Sequence, residues 1–135
     1  MANNPLPYDA SVIAAVNAFT ALLNGGTLVI YTGSQPALNG SLTGTLLATL
    51  TFSATAFPTA TAATGTVTAT ANAITNGIAG NTGTAGYFAL VSSGSATVAT
   101  GSVGTSGADL NLSTLSITSG QTVSCSSFLV TMAES

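Results

Sequence analysis

Only three of the 135 side chains carry a formal charge, Asp9, Asp109 and Glu134, and the chain contains no Lys, Arg, His or Trp. A typical soluble protein is about one-quarter charged. The surface of this chain must therefore be built from hydroxyls, amides and small apolar groups. Thr, Ala, Ser and Gly make up more than half of it. Thr suits an exposed sheet face without charge, because it is β-branched and its hydroxyl is polar. Disordered chains combine low hydrophobicity with high net charge, whereas this one has a mean hydropathy of +0.59 and a net charge of −3. The length is that of one domain with a real core. A chain this apolar has little electrostatic protection against association, and it is expected either to hide its surface in an assembly or to aggregate.

The missing residues also exclude functions. Without Lys or Arg the chain cannot neutralise phosphates, so no nucleic-acid partner is expected and no anionic membrane surface either. Without His no Ser–His or Cys–His nucleophile can be assembled. A two-carboxylate site is conceivable, but Asp9 reads as a helix cap and Glu134 is next to last, which leaves Asp109 alone. No enzyme, cofactor or metal site is expected: one Cys and three scattered carboxylates make a poor ligand set. Residues 101–107, Gly-Ser-Val-Gly-Thr-Ser-Gly, superficially resemble a phosphate-binding loop but lack its Lys, and read as a turn. Cys125 sits among apolar, β-prone neighbours and reads as a buried, inert thiol. The N-terminus lacks the basic stretch of a secretory signal. No apolar run reaches the roughly 18 residues of a membrane span, so folding in a cytoplasm is expected.

Along the chain, Pro5 and Pro7 bias residues 1–8 to an extended arm. Its Pro5, Leu6, Pro7 and Tyr8 are candidate contacts to a neighbouring subunit, the equal alternative being a simple frayed terminus. The period then changes. Val12, Ile13, Val16, Phe19, Leu22 and Leu23 fall on one face of a helix. That predicts a helix over residues 9–24, capped by Asp9 or Ser11 and stopped at Asn24-Gly25-Gly26. The apolar face is Val12, Ile13, Val16, Phe19 and Leu23. The other carries Ala14, Asn17, Ala18 and Ala21, where a solvated helix would carry charge, which points to cover on both sides.

Every later signal is β. Strands are expected at residues 27–31, 45–52, 65–71, 84–92, 96–103, 110–117 and 122–132, with a phase slip in the sixth that implies a bulge or bend. Residues 33–44, 53–63 and 76–83 read as loops, and 92–95 as a hairpin turn. Six to eight short strands behind one helix, with turns every eight to twelve residues, predict a mainly β antiparallel sandwich or barrel. Residues 9–135 form this single domain. The Thr-rich run 59–71 is too short and interrupted for an ice-binding array, and reads as a solvated or interface strand.

Several stretches together resemble a known group. They are Leu-Val-Ile-Tyr-Thr-Gly-Ser-Gln-Pro at 28–36, residues 44–53, Gly-Thr-Ala-Gly-Tyr-Phe-Ala-Leu at 83–90, residues 101–112, and residues 117–130 with their Ser-Gly-Gln-Thr-Val turn. Their order and spacing resemble small structural proteins encoded among the virion genes of tailed bacteriophages, over most of residues 9–132. These are turns and strand cores, so they carry fold and context rather than chemistry. The group often has an Arg after its aromatic strand pair, where this chain has Ala89. The resemblance implies a virion protein assembled in the host cytoplasm. Its first expected role is capsid decoration, or cement, as a homo-oligomer, with a trimer favoured, bound to the major capsid protein or another virion protein. Alternatives are a tail, neck or fibre subunit, or a host-recognition or carbohydrate-binding module. Sugar sites usually present aromatic rings, and here only Tyr8, Tyr31 and Tyr87 carry a phenol, the last two inside strand signals.

Overall fold

A computed structural model describes residues 8–63, 65–125 and 128–133. The arm's Pro5, Leu6 and Pro7 lie outside the described residues, as does Glu134. The fold is mainly β with one N-terminal helix, α1 (Asp9–Ala21). The strands are β1 (Thr27–Tyr31), β2 (Leu46–Thr51), β3 (Thr61–Ala63), β4 (Thr66–Thr70), β5 (Gly77–Ile78) and β6 (Gly83–Thr84). They continue as β7 (Tyr87–Val91), β8 (Thr97–Gly104), β9 (Leu110–Asn111), β10 (Ser116–Ile117), β11 (Thr122–Val123) and β12 (Leu129–Ala133). The main sheet runs β2-β1-β7-β8-β9 and curls into a half-barrel, antiparallel except for β8 with β9. A second sheet, β12-β4-β3, carries α1 on its inner face. Two short pairs, β10-β6 and β11-β5, complete the β structure.

The predicted helix face is where the sequence puts it. Val12, Val16 and Leu23 are buried in the core with Leu28, Ile30, Leu50, Val67 and Phe88, and Ile13 and Phe19 pack against that cluster. The cap differs. The N-cap is Tyr8, with no side-chain hydrogen bond, and its carbonyl accepts from Ser11 and Val12 at 2.9 and 3.1 Å. Asp9 is thus the first helical residue, where a carboxylate meets the positive end of the helix dipole. The helix ends at Ala21 and turns through Asn24 to Gly25, which has φ +67°. Ala14, Ala18 and Ala21 are exposed, so the outer helix face is uncovered in a single chain.

The five-residue runs Thr-Leu-Val-Ile-Tyr and Tyr-Phe-Ala-Leu-Val are apolar almost throughout because the sheet is buried on both faces. Leu28 and Ile30 of β1, with Phe88 and Leu90 of β7, face the core. By strand alternation Val29, Tyr87 and Ala89 face the other way, yet they are only 7%, 0% and 0% exposed. The loop of residues 33–44 reaches this face, where it binds Tyr87 and Thr100, as described below.

Some segments depart from the expected boundaries. The loop 53–63 ends in a short strand, β3, because Thr61 and Ala63 pair with Thr68 and Thr66 across a hairpin at Gly65. The loop 76–83 contains β5 and the first residue of β6. The phase slip at 110–117 is not a bulge in one strand. The chain leaves β8 at Leu112, whose N–H donates to Gly104, and pairs with β6 from Ser116. The last strand is likewise two, β11 and β12, in different sheets. Residues 101–104 are strand rather than turn, and the turn is 105–109. Short pairs are hard to read in sequence because two residues give no period.

Val16 is 0% exposed and Thr68 lies half-buried on the outward face of β4. Val16→Asp should therefore cost several kcal/mol by burying an unpaired carboxylate, and Thr68→Asp much less. Urea unfolding of both variants checks this, and equal losses would contradict the placement of the helix face.

Candidate functional site

Among the described residues no group of three His, Cys, Asp or Glu lies together, and no helix is long and apolar enough to cross a membrane. What the chain does build are sets of side chains, neutral except for Asp109, that hydrogen-bond to backbone and cover its sheets. Three of these sets matter.

The first holds the cover over the sheet. Tyr31 and Tyr87 are direct partners across β1 and β7, and their rings stack at 5.4 Å and 8°. The Tyr87 hydroxyl donates to the Thr43 carbonyl at 2.6 Å and accepts from the Thr43 N–H at 2.9 Å. Gln35 reaches across to donate to the Thr100 hydroxyl at 3.1 Å. The base of the loop closes where Thr32 and Thr45 meet: the Thr32 N–H donates to the Thr45 carbonyl, and the Thr45 N–H to the Thr32 hydroxyl. Gly44 beside them has φ +87°, and a Cβ there would lie 2.2 Å from the Thr32 carbonyl oxygen. Only glycine tolerates both demands. These bonds and the ring stack make Tyr31 and Tyr87 part of the packing of this chain.

The second set uses asparagines. Asn17 and Asn24 each accept a backbone N–H at 2.9 Å, from Ala60 and Ala56 respectively. Asn72 donates to the Thr55 carbonyl at 2.8 Å. Together they fasten the 53–60 segment to α1 through Asn17, to the turn after the helix through Asn24 and to the chain after β4 through Asn72, so Asn17 marks a docking site for this chain's own loop. The sequence signal is an amide on an otherwise alanine face, which the helical period alone makes part of that face.

The third set treats the sheet edges. The outer edge of β2 is closed by the segment 75–81. Thr51 and Thr75 exchange backbone bonds, Gly80 N–H donates to the Leu47 carbonyl, and the Asn81 amide donates to the Leu46 carbonyl at 2.8 Å. Gly77 lies so close that a Cβ would stand 2.1 Å from the Thr49 carbonyl oxygen. At β8, Asp109 does the guarding. Its carboxylate accepts from the Ser102 N–H at 3.0 Å and the Ser102 hydroxyl at 3.2 Å. Asp109, the one carboxylate left unassigned by the sequence, is a turn and edge residue of β8–β9. The outer edge of β12 has no such device among the described residues.

The remaining sequence-derived positions fall as follows. Tyr8 is 83% exposed at the start of α1, available to a partner. Val12, Ile13, Val16, Phe19 and Leu23 belong to the core of the single chain. Cys125 is buried. Among the described residues, Leu38, Ile78, Leu22, Leu129 and Met132 are, besides Tyr8 and Leu46, the large apolar side chains that stand out into solvent. No buried side-chain nitrogen or oxygen among the described residues lacks a hydrogen-bond partner. No protein-family model, no curated protein and no solved structure matches the chain.

Tyr87→Phe keeps the ring stack and removes both bonds to Thr43. It should cost about 1 kcal/mol and speed amide hydrogen exchange at Thr43 and its neighbours while leaving α1 unchanged. Unaltered exchange in residues 33–44 would show that the hydroxyl does not anchor the loop.

Proposed function

We propose that this chain is a structural protein of a tailed-bacteriophage virion, acting as a capsid decoration, or cement, protein. The observation that carries the reading is the surface. Asp9 and Asp109 are the only charged side chains among the described residues, and Asp109 is already bonded to Ser102. A surface of hydroxyls, amides and scattered apolar groups has nothing with which to grip a charged substrate, but it can be buried against another protein. The sequence resemblance to virion structural proteins supports the same reading.

In this reading the protein binds at junctions between capsomers and holds them by buried area and backbone or hydroxyl hydrogen bonds. Apolar burial yields about 25 cal/mol per Å², and a standard interface of about 1,600 Å² supplies ample gross energy before association costs. Exposed ion pairs add only about 0 to 1 kcal/mol each, and this chain can offer at most its three carboxylates. The partner is the major capsid protein, together with further copies of this chain. No cofactor, nucleic acid or membrane takes part. A tail, neck or fibre position would use the same surface, and copy number per virion separates the two: hundreds on the shell, or a ring's worth elsewhere. The host-recognition reading is weaker, because two of the three phenol rings are spent on each other and on Thr43.

Attachment should be nearly independent of salt, because apolar burial is not screened as ion pairs are. Particles bearing the protein, dialysed into roughly 10 mM and roughly 1 M NaCl, should retain it equally. Release at high salt alone would mean that a carboxylate anchors the contact, and the reading would fall.

A further inference from the structure

Asn-Gly occurs three times in the chain, at 24–25, 39–40 and 76–77. Asparagine is thermolabile, and a following glycine makes it more so: with no Cβ in the way, the glycine nitrogen can reach the asparagine side-chain carbon. That approach needs a free side-chain amide and a peptide that can rotate. The fold withholds these at two of the three positions. The Asn24 side-chain oxygen accepts the Ala56 N–H at 2.9 Å, and the Gly25 N–H donates to the Ser53 carbonyl at 2.9 Å. At Asn76 the backbone is held from both sides. Thr75 exchanges backbone bonds with Thr51, while Gly77 is buried, pairs with Val123 and packs against the Thr49 carbonyl. Turning that peptide would lift the cover from β2. Asn39 is different. Its side chain is exposed and has no hydrogen bond among the described residues. The turn bond from the Gly40 N–H to the Ala37 carbonyl, at 2.7 Å, closes its peptide. The turn puts Asn39 at φ +63°, in the left-handed region that L residues enter at a cost, and opening the turn relieves that cost. Residues 37–41 are all exposed, so opening gives up little buried surface.

We propose that Asn39 is a self-modification site, at which the folded chain converts asparagine to aspartate and isoaspartate with water as the only co-reactant. The Gly40 nitrogen attacks Cγ of Asn39 and gives its proton to solvent base. The Cγ–Nδ2 bond breaks, and ammonia leaves with a proton taken from solvent. Water then opens the cyclic imide at one or the other carbonyl, which leaves a carboxylate at residue 39. Nothing is oxidised or reduced. The product adds one negative charge to a formal net charge of −3. It does so beside Leu38, which is 93% exposed, at the tip of a loop that otherwise has no charge. The loop's anchors, Tyr87 on Thr43 and Thr32 on Thr45, lie outside the turn, so the change stays at the tip. This surface therefore gains charge with age. The inference does not depend on the virion reading and stands or falls separately from it.

Peptide mapping by mass spectrometry tests this on the full chain, incubated at mildly alkaline pH with and without denaturing urea until the unfolded sample has converted. In urea all three Asn-Gly positions should convert at similar rates, because each has the same neighbour. In the folded chain Asn39 should keep converting, and an acidic species should appear on isoelectric focusing. Asn24 and Asn76 should lag behind it by at least roughly ten-fold, because their peptides turn only when a bonded segment opens. An Asn39 that stays intact in the folded chain would overturn the proposal, since the turn would then protect it. Conversion of Asn24 or Asn76 at the pace of Asn39 would overturn it equally.

Discussion

Everything in this molecule depends on satisfying polar backbone without charged side chains. In most proteins Lys, Arg, Asp and Glu keep exposed faces solvated and separate neighbouring molecules. With two charged groups among the described residues, that work passes to neutral amides and hydroxyls. Asn17 and Asn24 bind the 53–60 segment, Asn81 covers a β2 carbonyl, and Tyr87 binds both backbone groups of Thr43. Each such bond contributes only about 1 kcal/mol net. They act together, because each one positions a covering segment that in turn buries apolar surface.

The 33–44 loop shows the consequence. Its cover lets both faces of β1 and β7 be apolar, so the main sheet has a second buried layer beyond the helix-bearing core. Tyr87 is central to that layer. Its ring packs on Tyr31 while its hydroxyl reaches Thr43, so one side chain joins strand pairing, stacking and loop anchorage. An apolar ring with a polar tip suits a site that is dry at one end and polar at the other.

Much of this was legible in the sequence. The apolar periodicity from Val12 to Leu23 gave the helix and its buried face, and the continuous runs at β1 and β7 gave central strands. The mainly β class followed from turn spacing. Less legible were the cap, because Tyr8 offers only its carbonyl, and the two-residue strands, which have no period to detect. Asn17 and Asp109 are visible in the sequence, but their roles are not. Both act through partners distant in the chain or fixed by a turn, Ala60 for one and Ser102 for the other, and a single sequence does not reveal such partners. The long apolar run at β7 hid its own explanation, since the loop that covers it carries little apolar signal of its own.

The central claim is that neutral hydrogen bonds and apolar burial, rather than ions, hold this fold. Urea unfolding of the whole chain at roughly 10 mM and roughly 0.3 M NaCl tests it most directly, because urea is uncharged and these salts bracket the range where screening of ion pairs changes most. The account predicts free energies of unfolding that agree within about 0.5 kcal/mol, the size of one exposed ion pair. A loss of stability of about 2 kcal/mol or more at the higher salt would show that the screened contacts of the carboxylates, Asp9 with the helix dipole and Asp109 with Ser102, carry the fold after all.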